Sequence, residues 1–291
     1  MPAPRLLALA LLLGPGLLSL SHGAAAQNTR QVRATAEATM VLSGAITIGI
    51  DGAVEGMHLD RPDEVDPQIA AFIQKTVGAW RFQPTRVEGE AVPAQARMRV
   101  RLLGKALPDG GTEVALRSVD FSQYDGNATD VVTAGSLRPP AYPGAALTIN
   151  GQGTVLLAIK VDRAGRVADA VVEQVNLTSI GPERTMAELR TVFSKASLAA
   201  ARKWTFQPPT TGADKDKPFW TVQVPVSYAI NPKKEQYGRW KAYIPGPRQA
   251  APWLPAEHRP QADSDLLPAG GVYMVDGTRK GPELLTPLAE G

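Results

Sequence analysis

Two pentapeptides, Trp80-Arg81-Phe82-Gln83-Pro84 and Trp204-Thr205-Phe206-Gln207-Pro208, constrain this chain more than any other feature. An echo of this kind has to be read before any single element, because a repeat fixes the architecture that each element must fit. Ahead of each copy lies an alternating strand that ends in a turn, followed by a helical pattern. Behind each, at the same spacing, lies another alternating strand. The chain therefore reads as a duplication of one α+β unit, a helix packed on a small antiparallel sheet.

In the first copy Ile46, Ile48 and Ile50 alternate with Thr47 and Gly49, the period of a half-buried strand. Asp51-Gly52 predicts the turn, since glycine accepts the positive φ of tight hairpins, and the chain returns through Val54, Met57 and Leu59. Asp66-Pro67 reads as a helix N-cap followed by proline at the first helical position. Ile69, Phe72, Ile73, Val77 and Trp80 recur at three- and four-residue steps, so one helical face is buried. A strand over 92–103 follows, then a hairpin at Pro108-Asp109-Gly110-Gly111 that returns through Val114, Leu116 and Val119.

The second copy is more regular. Val155, Leu157, Ile159 and Val161 form an inward face, Asp162-Arg163-Ala164-Gly165 makes the turn, and Val167 to Val175 returns. Gly181-Pro182 and the stripe Met186, Leu189, Val192 and Phe193 predict an added or extended helix, and Ala196, Ala199 and Ala200 let it lie close to a sheet. A final strand over 220–230 puts Trp220, Val222, Val224, Val226 and Tyr228 on one face. The modules are thus 27–121 and 139–231, joined by a polar, turn-rich linker at 122–138. Proline recurs from Pro232 to Pro287 and breaks every possible helix, so 232–291 is expected to be extended or disordered.

The first 26 residues read as an address. Arg5, the leucine-rich run from Leu6 to Leu20, and Ala24-Ala25-Ala26 make a secretory signal cut after Ala26, which places the mature chain in the periplasm. The alternative is an uncleaved inner-membrane anchor. Against it, a span needs roughly 20 apolar residues, and Gly14-Pro15-Gly16 interrupts this run.

Composition removes most chemistry. There is no cysteine, hence no disulfide, thiolate metal site, Cys nucleophile or lipidated Cys. His22, His58 and His258 lie in unrelated segments without zinc-ligand spacing. No nucleophile elbow or phosphate-cradling glycine loop occurs. A net charge of +3, without a dense Lys/Arg cluster, argues against nucleic acid. The expectation is a non-enzyme with no cofactor, metal or small-molecule substrate.

Arg138-Pro139-Pro140-Ala141-Tyr142-Pro143 leads to Gly151, an alternating strand and Asp162-x-x-Gly165-x-Val167. An Ala-rich helix, Lys203-Trp204-Thr205-Phe206-Gln207-Pro208-Pro209 and Val224-Pro225-Val226 then follow in order. This succession over about 138–230 resembles the C-terminal domain of the TonB family. Residues 33–121 resemble it as a degenerate copy that keeps Asp51-Gly52, the Trp80 pentapeptide and the last strand. The resemblance implies two tandem TonB C-terminal-like modules working in the periplasm. It also implies envelope-protein partners, among them TonB-dependent outer-membrane receptors, which add a segment to a sheet edge and are thereby coupled to inner-membrane energy. The family's transducers carry their Pro-rich spacer before the domain, whereas here it follows.

Two sets of residues are candidates for partner binding. Val222, Val224, Val226 and Tyr228 lie on a strand whose Pro225 lacks an N–H, the mark of an edge where a partner strand can add. Arg97, Arg99 and Arg101 share one face of another strand. They either receive an anionic partner or keep a solvated strand from aggregating. The alternative function is an envelope scaffold that binds cell wall or anionic lipid through this arginine face and the Pro-rich tail. Trp80 and Trp204 read as core residues closing a helix against a sheet rather than as a ligand platform.

Overall fold

The computed structural model describes residues 37–106, 112–230, 237–255, 266–275 and 281–288. The predicted signal segment and the predicted turn at 108–111 lie outside the described residues. β1 (Glu37–Ile48) and β2 (Val54–Leu59) form the first hairpin, with Ala53 N donating to Asp51 Oδ1 in its turn at 2.9 Å. β1 starts ahead of the isoleucines because Met40 and Leu42 continue the same buried face, while Ile50 falls in the turn and is exposed. In α1 (Pro67–Gly78) Asp66 caps the first turn by accepting from Gln68 N at 2.8 Å, and Ile69, Ile73 and Val77 are buried. β3 (Ala94–Ala106) then pairs antiparallel with β1, and β4 (Thr112–Asp120) pairs with β3.

The segment expected to be a linker is built into the second half. β5 (Thr133–Ser136) pairs with the strand at the second pentapeptide, Val132 is fully buried, and Ala134 N donates to the Tyr124 hydroxyl at 3.0 Å. A polar, turn-rich composition does not reveal that pairing. After the short α2 (Gly144–Thr148), β6 (Gly153–Asp162) and β7 (Val167–Leu177) form the second hairpin. α3 (Glu183–Ala201) is one extended helix rather than an added one, and it buries Met186, Leu189, Phe193 and Ala201. β8 (Thr205–Gln207) is β5's partner, and β9 (Phe219–Tyr228) pairs with β6 along its whole length. Each half holds its own apolar cluster, one around Ile73, Trp80 and Val100, the other around Phe193, Trp204 and Val224.

The pentapeptides make the same ties in both halves. Trp80 N donates to Val77 O and Trp204 N to Ala201 O, each at 3.0 Å, closing the helix end. Phe82 N donates to Gly52 O at 2.8 Å, and Phe206 N to Gly165 O at 2.7 Å, fastening the segment to its hairpin turn. Both glycines have positive φ, +78° and +74°, and a Cβ on either would collide with the phenylalanine carbonyl. Gly165→Ala is therefore expected to destabilise the protein by about 2 kcal/mol or more, from backbone strain plus the clash. Thermal unfolding checks this, and an unchanged midpoint would disprove the tie.

The tail, expected to be extended or disordered, is extended and packed where it is described. β10 (Lys241–Tyr243) pairs with β1, and Ile244 exchanges hydrogen bonds with Leu177 at 2.8 and 3.0 Å, so this segment joins the two sheets. β11 (Tyr273–Met274) pairs with β9, giving the order β11-β9-β6-β7. Leu284 bridges Phe82, and Arg81 N donates to Thr286 Oγ1 at 2.7 Å. Proline forbids helix here but not strand, and buried Ala251, Leu266, Leu267 and Val272 anchor the turns between prolines.

Candidate partner-strand edge

β9 is central to the second half. Its alternating side chains Trp220, Val222, Val224, Val226 and Tyr228 all point into the core beneath α3 and are buried. Tyr228 stacks on Phe193 at 4.2 Å between ring centroids, and its hydroxyl lies 2.9 Å from Ser197 Oγ. Tyr142 packs edge-on against both rings while its hydroxyl donates to Gly151 O. The candidates Val222, Val224, Val226 and Tyr228 are thus not placed to touch a partner by side chain. What β9 offers is backbone, on the side away from β6.

That side holds a short antiparallel strand from the chain's own tail. Val222 faces Met274 and Gln223 faces Tyr273, Val275 N donates to Thr221 O at 3.0 Å, and Gly270 N donates to Pro225 O at 3.3 Å. Pro225 sits on this edge, as its missing N–H requires, and contributes only its carbonyl.

The outer face of the same sheet is polar but covered. Thr221, Gln223, Glu173, Gln174 and Asn176 are all buried. Trp253 Nε1 donates to Thr221 Oγ1 at 3.1 Å, Gln249 N to Glu173 O at 2.7 Å, and Arg248 to Gln174 Oε1 at 3.1 Å. Gln223 Nε2 donates to Glu173 Oε2 at 2.7 Å. Burial pushes the Glu173 carboxyl up to about 7, against the opposing pull of Gln223 and Arg248. Sequence reasoning missed Glu173, Gln223 and the strand at 273–274. Only the polar alternation Thr221-x-Gln223 hinted at a face distinct from the core.

The three arginines share the outer face of β3, as their spacing predicts, yet each is engaged within the chain. Arg97 pairs with Asp60 and holds that carboxyl below its ordinary range. Arg99 donates to Asp120 Oδ2 at 2.9 Å, to Ser122 O at 2.7 Å and to Leu266 O at 3.1 Å. Arg101 is buried, donates to Thr39 Oγ1 at 3.2 Å, and lies over the Tyr243 ring at 4.4 Å. Arg99 and Arg101, with Arg61, Arg239 and Lys241, line a cleft of about 350 Å³. The ties of Arg99 to Asp120 and of Arg61 to Glu64 offset part of its charge.

Trp80 and Trp204 are both buried. Trp80 meets Phe82 and Phe121 edge-on, and Trp204 Nε1 donates to Arg138 O at 2.8 Å. Neither is a ligand platform. Among the described residues no cluster of His, Cys, Asp or Glu is placed to hold a metal, and no helix is long and apolar enough to cross a membrane.

No protein-family profile and no solved structure matches the chain. It is 31% identical over 100 residues to Protein TonB from two strains of Xanthomonas campestris pv. campestris. The match covers 34% of this chain and 39% of those relatives, so the likeness extends over a region rather than a whole protein. Together with the mixed α/β architecture, it supports a TonB-like C-terminal region within this chain.

Proposed function

We propose that the chain is a non-enzymatic, periplasmic TonB-like protein built from two related modules, and that the β9 edge binds an extended segment of an envelope protein. TonB-dependent outer-membrane receptors are the partners this reading names. The observation that carries it is the antiparallel pairing of Tyr273–Met274 with Val222–Gln223: this edge accepts an added strand. Strand addition takes its affinity from backbone bonds and its register from alternate side chains, which suits an edge whose own side chains are committed to the core. The ties shared by Gly52 with Phe82 and by Gly165 with Phe206 support common descent of the modules. The arginines of β3, engaged internally, take no part.

The chain has no cysteine, so a single one reports cleanly. Ser227 is exposed on β9, while Glu188 is exposed on α3. A photocrosslinker on Ser227→Cys in the full chain, activated in intact envelopes, is expected to capture outer-membrane receptors identifiable by mass spectrometry. The same label on Glu188→Cys is expected not to. Equal capture from both positions, or no receptor from Ser227→Cys, would refute receptor binding at this edge.

A further inference from the structure

We infer that the chain's own segment Leu266–Val275 is an internal occupant of the β9 edge, which an incoming partner strand must displace. This deepens the strand-addition reading and rests on it.

The occupant is held by few bonds. β6 pairs with β9 along the whole strand, whereas this segment pairs with β9 only at Val222 and Gln223, with single flanking bonds to Thr221 O and Pro225 O, and Arg99 Nε of β3 donates to Leu266 O at its start. The Tyr273 hydroxyl donates to Pro268 O, within its own segment, rather than to the sheet it covers. A pocket of about 50 Å³, open to solvent, runs along the seam between the segment and the body, lined by Tyr124, Val131, Gln223, Leu267, Val272 and Tyr273.

The occupant is also shaped for its place. Pro268-Ala269-Gly270-Gly271 turns the chain into the edge, with Gly270 at φ +83°, where a side chain would be strained. Leu267, Val272, Tyr273 and Met274 are buried there. An unpaired edge invites aggregation with other strands, and an internal strand protects it until a better-matched one arrives. A longer partner strand can gain bonds beyond Val222–Gln223 that the tail does not make. Its apparent affinity is then reduced in proportion to the time the edge is occupied.

The probe is a labelled peptide of sequence Leu266–Val275, added in trans to the full chain. In Gly270→Pro/Val275→Pro the two flanking N–H donors are removed and the turn is disfavoured, leaving β9 unaltered. This variant is expected to bind the peptide at least tenfold more tightly than the wild type. In Val222→Cys/Met274→Cys the two residues face each other across the pair, so oxidation locks the occupant in place. The oxidised form is expected to bind no peptide, and reduction to restore binding, which keeps the test decisive should the proline variant unfold. Equal affinity of the wild type and a folded proline variant, binding by the oxidised form, or no binding by any form would overturn the inference. Receptor capture from Ser227→Cys reports separately on receptor binding. Capture with unchanged peptide affinities sinks the occupant alone, and the expected peptide pattern without capture sinks the receptor reading alone.

Discussion

Trp204→Ala is expected to lower the unfolding free energy by about 3–5 kcal/mol, the range for truncating a large aromatic in a packed core. Trp204 is 4% exposed and fills the space between the end of α3, Phe206 and β5. Truncation also removes the indole donor to Arg138 O, a part-buried hydrogen bond that is lost together with the packing. Trp80→Ala is expected to fall in the lower part of that range, about 3 kcal/mol. Trp80 contributes edge-on ring contacts with Phe82 and Phe121 but no indole hydrogen bond of this kind. Urea unfolding followed by circular dichroism separates these losses. A loss below about 1 kcal/mol for Trp204 would contradict its core role and return it to the alternative of an exposed stacking platform.

The pentapeptides were legible because their surroundings follow simple periods. Asp66-Pro67 announces α1 through cap chemistry, and Asp51-Gly52 and Asp162-x-x-Gly165 announce turns through the φ that only glycine takes readily. The alternation Trp220 to Tyr228 correctly gave a strand and its buried face. The same alternation suggested a partner surface, because a face periodicity separates two sides without saying which is covered. Both sides of β9 are covered here, one by α3 and the other by the tail. Strands as short as Lys241–Tyr243 and Tyr273–Met274 carry no period at all. They exist only because a distant edge completes them, and the prolines around them read as disorder. The pairing of Thr133–Ser136 with Thr205–Gln207 was hidden for the same reason. Arg97, Arg99 and Arg101 were placed on one face by spacing, but their carboxylate partners Asp60 and Asp120 come from other strands or loops.

Glu173 is where the covering tail becomes measurable. Its carboxyl is fully buried, bonded by Gln223 Nε2 at Oε2 and drawn on by the charge of Arg248, while Gln249 N of the tail donates to the residue's backbone carbonyl. Burial raises it from 4.5 to about 7, so the folded state favours the neutral form. A carboxyl raised in the folded state contributes stability that is fully present below the unfolded value. That contribution is lost as pH climbs through the folded value. Stability should therefore fall between about pH 4.5 and 7 and level off above, with a total change of about 3 kcal/mol from this group. Glu173→Gln holds the position neutral at every pH and keeps an amide oxygen for the Gln223 donor. The variant is expected to be more stable than the wild type at pH 8 by about 1–3 kcal/mol, because the ionised carboxylate no longer has to be buried. At pH 4.5 the two should converge. Unfolding curves at pH 4.5, 6, 7 and 8 test this directly. A wild type with the same pH dependence as Glu173→Gln would mean that the carboxyl is solvated, and that the tail does not close over the outer face of the sheet.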